Sequence, residues 1–571
     1  MVTVMSMQPR PWPEVPELTA QVARASFPKG NIAMRIRDEL GQVYADEQFA
    51  PAFGVRGAPG LSPAQLMIVS VLQFSENLTD RQAADAVRDR VSWKYALGLD
   101  LTSDGFDASV LSEHRSRLVA GGLTSLALDA LLERLAGLGL VTAGSRQRTD
   151  STYVLAAIRS LNRLELAGET VRAALEALAV AAPAWLAQVI DSSWQEVYGA
   201  RIDDLHLPES QAKRAELAVQ YGKDGYYLLE QVRADAAPAC LAGLPAVQAL
   251  RRIWVQQYYR EVDAQGRQEV RRREPLPEGD GIPPGSLRLV SPYDLDARYS
   301  MKRDHGWTGC KVHISETCPG PGPVTGDGRG EMPDLITHVE TTLATVTDME
   351  TLDKIHGGLA RRSLLPGEHL VDSGYVSAEN LVASRDRWAV RLVGPALLDH
   401  SAQARAGAGY DKTAFTFDFD TRQGTCPQGV TSSTWNPVWQ QGREAIVVSW
   451  GAADCQSCPA RQLCTRGKRR QVSIQPRELH EALTAARAEQ STDEFKRSYA
   501  ARAGVEGTMR QATHVTGIRR ARYLGLDKTR LEHNIAAAAV NIIRLDAYWT
   551  GKPLDRTRAT HLARLDLSQA A

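Results

Sequence analysis

The sequence predicts an α/β protein with helices grouped before its strands and after them, and three observations carry that reading. Between residues 300 and 395, segments of alternating apolar and polar residues are separated by capped helical stretches, which is the spacing of strands joined through helices. Residues 61–120 form a run of short helical patterns without strand signals. Leu531–Leu545 is so apolar that, as a helix, it must pack on a core. At 571 residues the chain exceeds one ordinary domain, and 43% hydrophobic with 23% charged residues is a globular composition.

In order, Ser62-Pro63 opens a helix with proline in its first turn, and Leu66–Phe74 is apolar enough to be buried. Thr79 or Asp80 caps the next helix, Arg81–Arg90, and Trp93–Leu99 and Ser109–Leu118 add two more. Short helices with interleaved arginines suit a helix-turn-helix DNA reader, and a plain bundle fits these residues equally. Arg146–Val154 reads as a strand with Asp150 near its middle, where strands disfavour an acid. A long helical stretch follows from Leu155 to about Tyr198, and Ile253–Val262 starts a hairpin that turns near Gln265-Gly266. Trp307–Ile314 and Leu335–Ala344 are strands, and the Gly/Pro-rich 316–330 is a loop. Asp348 caps a helix over Met349–Arg362. Glu368–Ser373 is a short strand with Asp372 at its C-terminal end, Ser377 caps another helix, and Trp388–Val393 returns as a strand.

Residues 412–475 read as short strands, Ala414–Phe419 and Glu444–Trp450 among them, and contain Cys426, Cys455, Cys458 and Cys464. Cys455-x-x-Cys458 has metal-knuckle spacing, so tetrahedral Zn²⁺ and free buried thiols are equal readings here. The basic run Arg466–Arg470 beside it suits a DNA backbone. Finally, Tyr499, Arg502, Glu506 and Arg510 fall on one face of a helix expected over Glu478–Arg510, joining an aromatic, two guanidinium groups and a carboxylate. The stretch Ile518–Leu526, with Arg519 and Arg520, is basic and turn-like.

The motifs Arg148-Thr-Asp-Ser-Thr152, Leu370-Val-Asp-Ser-Gly-Tyr375 and Tyr499-x-x-Arg502-x-x-x-Glu506, in that order, resemble those of bacterial insertion-sequence transposases of the DDE superfamily, over roughly Leu61–Leu545. The resemblance implies a ribonuclease H-like mixed-sheet core. Its first acid lies on the first strand, its second on the fourth and its Glu on a late helix, with a β-rich insertion before that helix. The expected organisation is therefore a helical, DNA-binding region at 1–140 and the first part of the core at 141–400, with a helical and hairpin insertion at about 155–290. The β-rich cysteine insertion then spans 401–476, and helices at 477–571 complete the core.

By position the resemblance assigns catalysis and Mg²⁺ (or Mn²⁺) binding to Asp150, Asp372 and Glu506, with Asp150 shared between two ions. It assigns DNA contacts to Tyr499 and Arg502. The family's basic residue seven after the Glu falls on Thr513, leaving Arg510 and Arg519 as substitutes, with Arg520 as a further DNA contact. Three crowded carboxylates repel without metal, raising at least one pKa. The implied reaction is cleavage of double-stranded element ends, then attack of each 3′-hydroxyl on target DNA, by a homodimer that holds two ends. A nuclease without strand transfer, a decayed or domesticated DNA-binding protein, and a regulator built on 61–120 are the competing readings. Formal net charge is +0, so a DNA surface requires local clustering of arginine. Met1–Arg10 lacks an apolar run behind a basic head, and no stretch is long enough to span a bilayer, so the expected location is cytoplasmic and nucleoid-associated on DNA, with no membrane partner.

Overall fold

The computed structural model describes residues 5–54, 57–202, 207–262, 265–275, 281–302, 304–318 and 332–552. Its centre is a six-stranded mixed sheet. Five of the strands are β1 (Arg146–Leu155), β2 (His305–Thr317), β3 (Ile336–Leu343), β4 (Glu368–Leu370) and β5 (Arg391–Val393). β2 pairs antiparallel with β1 and with β3, while β4 runs parallel to β1, and β5 parallel to β4. The order across the sheet is thus β3-β2-β1-β4-β5, with the sixth strand, Arg298–Lys302, antiparallel to the start of β2. β1 is central, which is why its Val154 and the facing Val312 and Ile314 are buried.

Four helices bear on the site: α1 (Pro63–Ser75), α2 (Asp348–Arg361), α3 (Gly504–Thr516) and α4 (Leu526–Trp549). Ser62 caps α1 by accepting from the Gln65 N–H, as the Ser-Pro start predicts. The apolar α4 is buried along Leu531, Ile535, Val540, Ile542 and Leu545 and packs against both α1 and β3. One hydrophobic core therefore runs from the N-terminal helices through α4 into the sheet. Asn541 also fastens α4 to β3: its side-chain amide donates to the Ile336 carbonyl at 2.8 Å, and its oxygen accepts the Ile336 N–H at 2.7 Å. That pair satisfies an edge-strand peptide that water cannot reach.

Each of the two insertions has a core of its own. Helices from Arg163 to Gln257 bury Val171, Leu178, Tyr221, Ile253 and Trp254. In the other, a three-stranded antiparallel sheet of Thr434–Gln440, Arg443–Ser449 and Gln471–Ile474 encloses Phe415, Val448, Trp450, Val472 and Ile474.

Several elements differ from expectation. Ile253–Gln257 ends a helix, and the hairpin pairs Tyr258–Val262 with Gln268–Arg272. Trp254 seats that helix on Gly225, where a Cβ would stand 2.1 Å from its ring. The stretch after Leu155 is three helices, beginning at Arg163, Pro183 and Ser192. Trp388 ends a helix, and only Arg391–Val393 is strand. The 316–330 loop lies largely outside the described residues, with Glu316 and Thr317 ending β2. Thr347, not Asp348, caps α2, through a capping box with Glu350. The expected continuous 478–510 helix is broken into Arg477–Glu489, Asp493–Tyr499, a 3₁₀ turn at Ala500–Ala503, and α3. Among the described residues no helix is long and apolar enough to cross a membrane.

Candidate active site

Side chains alternate along a strand, so Arg146, Arg148, Asp150 and Thr152 share one face of β1. Each of the four is met by the segment 498–519. The Arg146 guanidinium donates to the Ser498 carbonyl at 2.9 Å, and Arg148 Nη1 to the Ala501 carbonyl at 2.6 Å. Arg502 Nη2 lies 2.9 Å from Asp150 Oδ2, and Arg519 Nε donates to Thr152 Oγ1 at 3.0 Å. The opposite face is pinned as well: the Thr149 hydroxyl lies 2.6 Å from both Ser315 Oγ and His369 Nε2, and Ser151 Oγ donates to Asp348 at 3.1 Å.

The three predicted acids meet around one cation. Besides Asp150, the Arg502 guanidinium lies 3.9 Å from Asp372 Oδ2 and 3.4 Å from Glu506 Oε1. Asp150 comes from mid-β1. Asp372 sits two residues beyond β4, in a turn rather than within the strand, where Oδ1 accepts the Gly374 N–H at 2.8 Å. A Cβ on Gly374 would stand 3.0 Å from that oxygen and 3.2 Å from Asp348, so a larger residue here would crowd both carboxylates. Glu506 lies in the first turn of α3, where an acid also suits the helix dipole. Its side chain is 70% exposed, against 17% for Asp150, so Asp150 is held in place by its surroundings and Glu506 is free to swing.

Burial pushes the Asp150 carboxyl above its ordinary range; Arg502 opposes that rise and Asp372 adds to it. Among the described residues no three His, Cys, Asp or Glu side chains stand close enough to share a metal ion; the acids share Arg502 instead. Arg502 Nε is a buried donor without a hydrogen-bond partner among the described residues.

Of the other predicted residues, Tyr499 stacks on Phe495 with ring centroids 5.4 Å apart, and both pack against Leu370 and Val393. It therefore seats the helical segment on β4 and β5. Arg519 lies over the Tyr153 ring at 5.1 Å, while Arg510 and Arg520 are exposed. Arg520 bridges to Leu155, so its backbone extends the end of β1.

Sequence reasoning missed two groups. The first is Asp348, a fourth carboxylate beside the acids, held by Lys311 Nζ at 3.2 Å and Ser151. Lys311 and Ser151 both lie on strands whose register only the paired sheet reveals. The second is a buried ion cluster. Arg148 donates to Glu316 at 2.7 Å and to Asp334, and Arg544 donates to Glu316 at 2.8 Å. Thr508 of α3 also donates to Glu316, so the cluster ties β1, β2, α3 and α4 together. Gly504 packs on Arg148: a Cβ there would stand 2.2 Å from Nη1. No local sequence signal announces these long-range pairs.

Comparison with known families gives two matches. Residues 425–546 match a transposase DDE domain, a span that includes Glu506 and the four cysteines of the β-rich insertion. Residues 21–117 match a transposase domain, DUF772, which covers most of the helices before β1 and ends before Leu126–Gly137. No curated protein and no solved structure matches the chain.

Proposed function

We propose that this chain, an insertion-sequence DDE transposase by its two family matches, cuts the ends of its element and joins the freed 3′-hydroxyls to target DNA. The observation that carries the reading is the single guanidinium of Arg502 within 4.0 Å of carboxylates from three distant parts of the chain. Support also comes from where the carboxylates lie: Asp150 on the first strand of the central sheet, Asp372 just after β4, which becomes the fourth strand when the short Arg298–Lys302 is set aside as an addition to β2, and Glu506 on a late helix, an arrangement compatible with a ribonuclease H-like core.

The donor set fits hard divalent cations: three carboxylates, already gathered by one positive charge, suit Mg²⁺ or Mn²⁺ better than soft metals. Asp150, Asp372 and Glu506 would hold the ions. Two such ions, when bound, activate a water or 3′-hydroxyl and stabilise the leaving oxygen of a phosphodiester. The chain's own residues supply the rest. Arg502 offsets the repulsion among the acids, and its guanidinium, once released from them, would clamp a phosphate of the strand being cut. Arg519, held on the Asp150 face of β1, and the exposed Arg510 and Arg520 extend the positive surface along the DNA. The helices matched to the second transposase domain bind the element end, and two copies of the chain, one per end, bring the ends together.

The test is cleavage of the DNA flanking the reading frame, parent against Glu506→Gln. Mg²⁺-dependent 3′-hydroxyl ends from the parent alone, followed by joined products on a target plasmid, are expected. Equal cutting by both proteins overturns the assignment of Glu506, and nicks without joined products indicate a nuclease.

A further inference from the structure

The chain has seven cysteines, and four of them converge. Cys426, Cys455, Cys458 and Cys464 line a single cavity in the β-rich insertion, together with Tyr410, Trp450 and Arg470. All four are free thiols and half-buried, unlike exposed Cys240 and the fully buried Cys310 and Cys318. They come from separate short elements. Cys426 sits in a turn after the strand Gln423–Thr425, where its N–H donates to the Val430 carbonyl at 2.9 Å. Cys455 lies in the helix Ala452–Ser457, Cys458 follows it directly, and Cys464 ends the helix Arg461–Cys464.

Two physical arguments favour a metal over four idle thiols. One is the size of the core beneath them. Five buried side chains, with Phe417, Phe419, Val430, Trp435 and Ile446 half-buried against them, hold together everything from Phe415 to Ile474, a small core for a unit of this length without a staple. Cys426, Cys455 and Cys464 pack directly against that core, where a cross-link would act. The other is hydrogen bonding: the Arg470 N–H donates to Cys455 Sγ at 3.4 Å, a contact that suits a thiolate. The Arg470 guanidinium also donates to the Cys464 carbonyl at 3.2 Å and lies over the Phe415 ring, so a positive charge stands in the wall of the same cavity. The four sulfurs ring the cavity more widely than a bound ion would hold them, since Zn–S bonds are about 2.3 Å long. Closing on an ion therefore requires the two short helices to move inward.

We propose that Cys426, Cys455, Cys458 and Cys464 form a structural tetrathiolate zinc site that staples this insertion. The site is closed, with no position for substrate, and is independent of the carboxylates around Arg502. By fixing Cys464 it also fixes the start of the basic loop, whose Arg466, Lys468 and Arg469 are exposed. On binding, the four thiols release their protons, so affinity rises with pH.

The experiment uses the full chain. Purified with Zn²⁺ and dialysed, the parent should carry one equivalent of zinc, and Asp150→Asn should carry the same. Cys455→Ser/Cys458→Ser should carry none, while Cys240→Ser retains it. Replacement by Co²⁺ should give the intense sulfur-to-metal absorption of a tetrahedral thiolate site, which carboxylates cannot produce. Thiol titration of the parent should find four fewer reactive cysteines with zinc than without, a readout that survives if the double variant misfolds. Substoichiometric zinc in the parent, or equal thiol reactivity with and without zinc, overturns the proposal. Zinc lost from Asp150→Asn as well would place the ion at the acids and overturn it too.

Discussion

Removing the guanidinium of Arg502 should strengthen metal binding, although the residue belongs to the site. Its contact with Asp150 is an ion pair of 2.9 Å between side chains that are 13% and 17% exposed. Close, partly desolvated charge pairs couple by about 1.5 kcal/mol or more. The Glu506 contact is longer, at 3.4 Å, and its carboxylate is 70% exposed, so it falls among surface pairs of about 0.2–1 kcal/mol. Asp372, at 3.9 Å, adds little. A cation entering among the acids must displace these contacts, roughly 2–3 kcal/mol in all, and 1.4 kcal/mol is a factor of ten. Arg502→Ala should therefore bind Mn²⁺ roughly 10- to 100-fold more tightly than the parent. The measurement is titration of the DNA-free full chain with Mn²⁺, following the free ion by electron paramagnetic resonance. It should be run at pH 8, because burial raises the Asp150 pKa and a protonated acid would mask the effect. Asp150→Asn should bind more weakly and serves as the control. Unchanged or weaker Mn²⁺ affinity in Arg502→Ala would refute the reasoning, since the guanidinium would then be assembling the acids rather than competing for them.

Two further perturbations probe the frame around the acids. Arg148→Met removes one cation from the buried cluster. Breaking a buried pair costs about 3–5 kcal/mol, and the surviving Arg544–Glu316 contact holds the loss to the lower part of that range. A lower urea midpoint and a displaced 3₁₀ turn, read as lost cleavage with DNA binding retained, are expected; an unchanged midpoint would contradict it. Glu532 on α4 is buried, which pushes its carboxyl from 4.5 up to about 7. The folded chain therefore holds a proton that the unfolded chain releases, and this contribution to stability declines as pH rises from about 4.5 to 7. Glu532→Gln cannot ionise, so its melting temperature relative to the parent should rise between pH 5 and pH 8. A constant difference across that range would count against the assignment.

How much of this was legible in the sequence depended on whether the cause was local. Ser62, Thr79 and Ser377 cap helices because an N-cap is a contact between near neighbours. The strands at 305–317 and 336–343 follow from alternation, and the acids' carriers from the three motifs. Ile253–Gln257 misled because β-branched and aromatic residues favour strands, whereas here Gly225 of a neighbouring helix makes room for Trp254 to pack. The break at Ala500–Ala503 was hidden for a similar reason: Gly504 rests on Arg148, a residue more than 350 positions away. Asp348 looked like a cap because its partners, Lys311 and Ser151, approach only once β1 and β2 are in register.

That register bears on the chemistry. Slipping β1 by one residue against β2 would turn Asp150 away from Arg502 and bring Thr149 or Ser151 to the acid cluster. Hydrophobic patterning alone is a weak guard here, because residues 147–152 are all polar. The guard is instead polar and two-sided. On one face Thr149 locks to Ser315 and His369, and Gln147 to the Leu364 carbonyl; on the other Arg148 locks to Glu316 and Ala501. A slip would leave each of these buried groups unpaired at about 1–3 kcal/mol apiece, more for the charged ones. The helical insertion, which enters the chain just after β1, buries its own apolar residues separately and need not pull on the strand. Arg148 stands two residues before the first acid, and Thr508 two after the last. Both bind Glu316, so one buried carboxylate sets the strand of Asp150 against the helix of Glu506, which lie far apart in the chain.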